Sequence, residues 1–176
     1  MALGSTIHKV SLNIADMTRH YYQQHELTVA VHPSENDLRF MVRLIAFALN
    51  ATEQLAFTRG IGTDDEPEIQ EKNLTNEIQL WIDFGQVDEK RIKKACGRAA
   101  RVVIYTYHER KAKVWWEQNR QKLRRYKNLS VFHIDAQDAE AMASRNMNLQ
   151  CSIDDGQLYL SDEFVTVNVP VIAYSE

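Results

Sequence analysis

Nine carboxylates fall between residues 63 and 91, and most occupy polar surroundings. Asp83 is different. It stands inside Leu80-Trp81-Ile82-Asp83-Phe84, an apolar run that reads as a buried strand. An anion at such a position must be solvated, paired or bound to a metal. On a strand, Trp81, Asp83 and Gly85 share one face, and Leu80, Ile82 and Phe84 share the other. Gly85 leaves space beside the carboxylate. Glu68 lies 15 residues earlier, an interval long enough for a loop that returns beside the strand. Two acids on neighbouring strands could hold Mg2+, which needs only one or two protein carboxylates and keeps several waters. Alternatively, Asp83 ends its strand or pairs with a lysine of the next helix, and the loop acids are merely solvated. The residues alone leave both readings open.

Other groups divide in the same way. Glu35 follows a potential cap, Ser34, at a helix start, where the dipole stabilises any acid by roughly 0.3–1 kcal/mol. His32, before a proline, reads as a turn residue. Arg59 before Gly60 is either a cation at a helix C-terminus or a phosphate contact near the acid-rich loop. Arg91 and Lys94 share a helix face at i, i+3. They are either solvated or turned toward Asp83. The stretch from 109 to 127 holds Arg110, Lys111, Lys113, Arg120, Lys122, Arg124, Arg125 and Lys127 against Glu109 and Glu117. Such a stripe is either a soluble outer face or a surface that neutralises phosphates. Trp115 and Trp116 cannot both face the core, so one is a boundary or contact residue. The chain contains no glycine-rich phosphate loop, GxSxG, HExxH or Cys/His cluster.

These groups need a scaffold, and the hydrophobic pattern supplies one. Residues 6–14 and 24–31 alternate and are expected to pair. Leu38, Met41, Val42, Ile45, Leu49 and Leu55 repeat at helical spacing after Ser34, with Gly60 as a stop. Residues 61–77 read as irregular and 78–84 as a strand. Asp88 caps a short helix carrying Ile92, Ala95, Cys96 and Ala99. Residues 102–105 form a strand, 109–126 a helix and 129–134 a strand, and Asp135 caps a further helix. Asp154-Asp155-Gly156 turns a hairpin between 149–153 and 158–160, and 164–173 gives one more strand. The alternating middle favours a partly parallel sheet with helices packed on it. The C-terminal third reads as a meander.

The 176 residues suit one domain or two joined sub-domains. With 44% apolar residues the chain can build a core. A net charge of −3 offers no global attraction to nucleic acid or anionic membrane, so phosphate binding needs a local patch. No apolar run reaches membrane-span length, and the N-terminus lacks the signature of a signal peptide. Cys96 and Cys151 read as free thiols of a reducing cytoplasm.

Several segments together resemble the YaeQ family of bacterial proteins over essentially the whole length. They are His32-Pro33-Ser34-Glu35, Phe57-Thr58-Arg59-Gly60, Asp64-Asp65-Glu66-Pro67-Glu68, Trp81-Ile82-Asp83-Phe84-Gly85, the run from Asp88 to Cys96, and Trp115-Trp116. The resemblance implies a core like that of the PD-(D/E)xK nucleases. Pro67-Glu68 then stands where Pro-Asp would be, Asp83 where the second acid would be, and Glu35 where many members carry an extra acid. The motif lysine is absent, because Gly85 occupies its place.

The expected architecture is α/β: a mixed sheet flanked by helices, nuclease-like over 1–146, with a β-meander over 147–176. The expected function is that of a phosphodiester hydrolase acting on nucleic acid. Glu68, Asp83 and Asp65 would hold Mg2+ or Mn2+, Glu35 would assist, and Arg91 or Lys94 would replace the lysine. Arg59, Arg124 and Arg125 would contact the substrate. The alternative is a module on the same core that binds nucleic acid or protein without cleaving. No membrane partner is expected.

Overall fold

The computed structural model describes residues 4–58 and 65–175. The chain forms two compact units, one of residues 1–51 and 135–171, the other of 52–134 and 172–176. Both are built on mixed sheets.

In the first unit, β1 (Thr6–Asp16) and β2 (Tyr21–Val31) form the long antiparallel hairpin expected from their alternation. Then α1 (Asp37–Asn50) follows. Its cap is Asn36, whose side chain accepts the Arg39 N–H at 2.9 Å, and not Ser34, whose hydroxyl instead meets His32 Nδ1 at 2.6 Å. The helix also ends earlier than its apolar spacing suggests. The Thr52 hydroxyl accepts the N–H groups of Gln54 and Leu55, which draws the chain into a turn before Leu55. Arg19 closes the helix end by donating to the carbonyls of Ala48 and Ala51, while the buried carboxylate of Asp16 holds its Nε at 2.7 Å.

The C-terminal strands complete this sheet. They are β8 (Asn146–Asp154), β9 (Gln157–Ser161) and β10 (Thr166–Asn168), and the order is β10-β9-β8-β1-β2. Asp155 and Gly156 adopt φ of 45° and 80°, as the tight Asp-Gly turn requires. Here the units differ from the division at 146/147. The meander does not stand alone, because β8 runs parallel to β1 and places Met147, Leu149, Cys151 and Ile153 beside Val10, Leu12 and Ile14. The helix expected after Asp135 is a 3-10 turn, Gln137–Met142.

In the second unit, the sheet comprises β3 (Ala56–Phe57), β4 (Ile69–Lys72), β5 (Ile78–Phe84), β6 (Ala99–Thr106), β7 (Leu129–Ile134) and β11 (Val171–Ala173), in the order β11-β7-β6-β5-β4-β3. β5, β6 and β7 are parallel, with α2 (Glu89–Arg98) and α3 (Glu109–Leu123) in the crossovers. β4 was not legible in the polar stretch before residue 78. It forms because its backbone pairs antiparallel with β5. The last strand, expected over 164–173, is two strands in two sheets. Pro170 separates them, since it has no N–H for a ladder. Trp81, Val102, Ile104, Val131, Ile92 and Trp115 build the core under α2 and α3.

Both cysteines are free. Burial pushes the Cys96 thiol up to about 11 and Cys151 to about 12, so both stay protonated and unreactive near neutral pH.

Candidate functional site

Asp83 sits near the end of β5 on the same face as Trp81, and it is 2% exposed. The Asp88 side chain caps α2 by accepting the Arg91 N–H at 2.8 Å, which fixes the first turn of the helix. Arg91 extends from that turn back to Asp83. Its Nε donates to Oδ2 at 2.7 Å and its NH2 to Oδ1 at 3.1 Å. The same NH2 donates to the Glu66 carbonyl at 2.8 Å, and the guanidinium lies 5.6 Å from the Trp81 ring centroid. Trp81 Nε1 donates to Oδ2 at 2.8 Å. The backbone N–H of Glu68 donates to Oδ1 at 3.2 Å.

The hairpin of β4 and β5 therefore brings Glu68 beside Asp83, as the interval of 15 residues suggests. The contact runs through the Glu68 backbone. Each Asp83 oxygen accepts two hydrogen bonds, so the roughly four acceptor sites of a carboxylate are filled. A hard cation needs carboxylate oxygen lone pairs. As arranged, Asp83 does not fit such an ion, because a guanidinium holds the position an ion would take. Among the described residues, no three His, Cys, Asp or Glu side chains converge as a metal-binding group.

The other predicted site residues are distributed as follows. Asp65 is exposed and pairs with Lys94 at 2.5 Å and with Arg98 at 3.8 Å. The Lys94 ammonium holds its carboxyl below the usual range. Lys94 thus meets Asp65, while Arg91 meets Asp83. Glu35 belongs to the first unit. It lies one residue before the α1 cap, not after it, and its side chain is 1% exposed. Its Oε2 accepts from Arg39 NH1 at 2.7 Å and Arg43 Nε at 2.8 Å, and its Oε1 from Arg43 NH2 at 2.5 Å. Sequence reasoning missed Arg39 and Arg43, although their i+4 and i+8 spacing from Glu35 was a usable signal. Arg59 lies outside the described residues.

Gly85 has a physical reason of its own. Its φ is 87°, and its N–H donates to the Tyr105 carbonyl at 2.9 Å. A Cβ there would meet only Tyr107 Cε1 at 3.9 Å, an ordinary contact. The requirement is conformational, and a lysine at this place would be strained. Gly85→Ala is expected to cost about 1–2 kcal/mol in urea unfolding. Gly85→Asn, which tolerates the left-handed region, should cost less. Equal stability of wild type and the alanine variant would show that the backbone relaxes at no cost.

In the following crossover, α3 turns Ala112, Trp115 and Leu123 inward. Trp115 Nε1 donates to the Val87 carbonyl at 2.9 Å, so Trp115 is the core residue and Trp116 the boundary residue. Arg125 pairs with Glu89 and lies over the Tyr126 ring, 5.0 Å from its centroid. Arg124, Lys122 and Lys127 are exposed and have no acidic partner among the described residues.

Two mixed sheets with helices in the parallel crossovers, and buried acids paired with arginines, define an α/β protein. The comparisons place it further. A family model described as YaeQ protein matches residues 1–171, and the chain belongs to that family. YaeQ of Escherichia coli (strain K12) is 44% identical, over 100% of this chain and 99% of its own. YaeQ of Salmonella typhi is 42% identical at the same coverage. The crystal structure of YaeQ from Xanthomonas axonopodis pv. citri superposes with a TM-score of 0.93 at 39% identity, covering 97% of this chain and 98% of that one. That of YaeQ from Pseudomonas syringae gives 0.92 at 30% identity, covering 98% and 97%. No helix among the described residues is long and apolar enough to cross a membrane.

Proposed function

We propose that the protein binds nucleic acid through the cationic end of α3, on a nuclease-like core that does not cleave through Asp83. The reading is carried by Lys122, Arg124 and Lys127, exposed cations close together in sequence with no acidic partner among the described residues. In a chain of net charge −3, such a local excess is what phosphate binding requires. A hydrolytic reading with Mg2+ would first need Asp83 to surrender Arg91.

The test is binding of a labelled oligonucleotide across a salt series, with and without Mg2+. Affinity is expected to fall steeply with salt and to be indifferent to EDTA. Arg124→Ala should lower the log–log salt slope by about 1. Arg125→Ala should change it less, because Glu89 and Tyr126 already engage that guanidinium. Absence of binding at low salt would refute the reading. So would Mg2+-dependent cleavage that disappears in Asp83→Asn.

A further inference from the structure

We propose that the hollow beside the end of α3 seats an unstacked base of a single-stranded nucleic acid, with the flanking phosphates on Arg120, Arg124 and Lys127. The inference rests on the nucleic-acid reading above and narrows its substrate class. The hollow measures about 510 Å3, within the range of roughly 300–1,000 Å3 typical of small-ligand pockets. Apolar, aromatic and cationic side chains line it.

The floor is apolar and buried: Leu123, Leu129 and Val131. Such a floor suits the flat face or edge of a base and offers nothing to a phosphate. The wall is aromatic. Trp116 and Tyr174 stack at 5.8 Å and 23°, and Tyr174 stacks in turn on His133 at 5.8 Å and 18°. The backbone N–H of Tyr174 donates to the Val131 carbonyl at 2.8 Å, so the wall is held in place before any ligand arrives. Trp116 and Tyr174 are only partly buried, and both line the hollow. The rim is cationic. Arg120, Arg124 and Lys127 line it, and no carboxylate does among the described lining residues. Arg120 has Glu117 at 3.9 Å on the same helix.

Aromatic platforms interleaved with cations suit single strands, because every base has a stackable face and the backbone brings the charge. A base in a duplex is stacked and paired, and cannot reach the floor without being extruded. The geometry therefore selects unpaired strands over duplex.

The test uses the full chain, a single strand of about 12 nucleotides and a hairpin duplex of the same composition. Anisotropy and tryptophan emission are read together. The single strand is expected to bind at least roughly ten-fold tighter than the duplex and to quench emission by stacking. Trp116→Phe should remove most of the quench while leaving the far-ultraviolet circular dichroism unchanged, since Trp81 and Trp115 stay buried. Trp116→Ala should weaken the single strand by about ten-fold and the duplex hardly at all. Arg124→Gln should weaken both. Salt-sensitive binding that is equal for strand and duplex, or a quench that survives Trp116→Phe, would overturn this inference and leave the broader reading standing. Saturation by a nucleoside monophosphate at the affinity of the strand would overturn it in favour of a nucleotide pocket. No binding of any nucleic acid at low salt would overturn both.

Discussion

Arg91→Ala is expected to destabilise the protein by about 3–5 kcal/mol, as removal of one partner of a buried ion pair does. The side chain of Asp83 is 2% exposed and that of Arg91 22%, so the alanine variant leaves a largely buried carboxylate without its cation. Trp81 Nε1 and the Glu68 N–H would remain as donors, but neither carries a compensating charge. The Glu66 carbonyl would lose its partner as well, which loosens the approach to β4. In a chain of this size, the loss corresponds to a fall of roughly 6–20 °C in melting temperature. Asp83→Asn/Arg91→Leu removes both charges and should lose less than the sum of the single variants. The coupling is measured by a double-mutant cycle in urea. A cost below about 1 kcal/mol for Arg91→Ala would mean that Asp83 does not depend on the arginine. Its oxygens would then be available to a cation, and the hydrolytic alternative would regain its footing.

The second large effect is expected at Glu35. Glu35→Ala takes from Arg43, whose side chain is 5% exposed, the carboxylate paired with it, while the Ala30 carbonyl still accepts from its NH2. A loss of about 3–5 kcal/mol follows from the same reasoning. Glu35→Gln keeps the shape and one acceptor oxygen but not the charge, and should fall between wild type and alanine. Arg39→Ala should cost less than Arg43→Ala, because the Arg39 side chain is more exposed, 16% against 5%. Thermal melts of the variants rank these costs. If Glu35→Ala were as stable as wild type, its carboxylate would not be a structural partner. Glu35 would return as a candidate for chemistry.

The two positions show where sequence reading succeeds and where it stops. Asp83 was conspicuous because an anion interrupts an apolar strand, and its face was legible from period-two alternation with Trp81. Asp88 announced the α2 cap, and Asp155-Gly156 announced a hairpin, because capping and positive φ are properties of a few neighbouring residues. The parallel strands β5, β6 and β7 followed from alternation with helices. The stop of α1 was misread because apolar spacing continues to Leu55, while a single hydroxyl at Thr52 redirects the chain.

The sequence by itself thus determined the local elements, the isolated position of Asp83 and the basic stripe of α3, since each depends on residues within a few positions of one another. Only the tertiary structure decided which cation answers which acid: Arg91 for Asp83, Lys94 for Asp65, Arg43 for Glu35. It also decided that β8 joins β1 across more than a hundred residues, and that Trp116 and Tyr174 share one wall. Such pairings depend on register and crossover between distant segments, and a charge or a ring carries no local mark of the partner that will neutralise or stack on it.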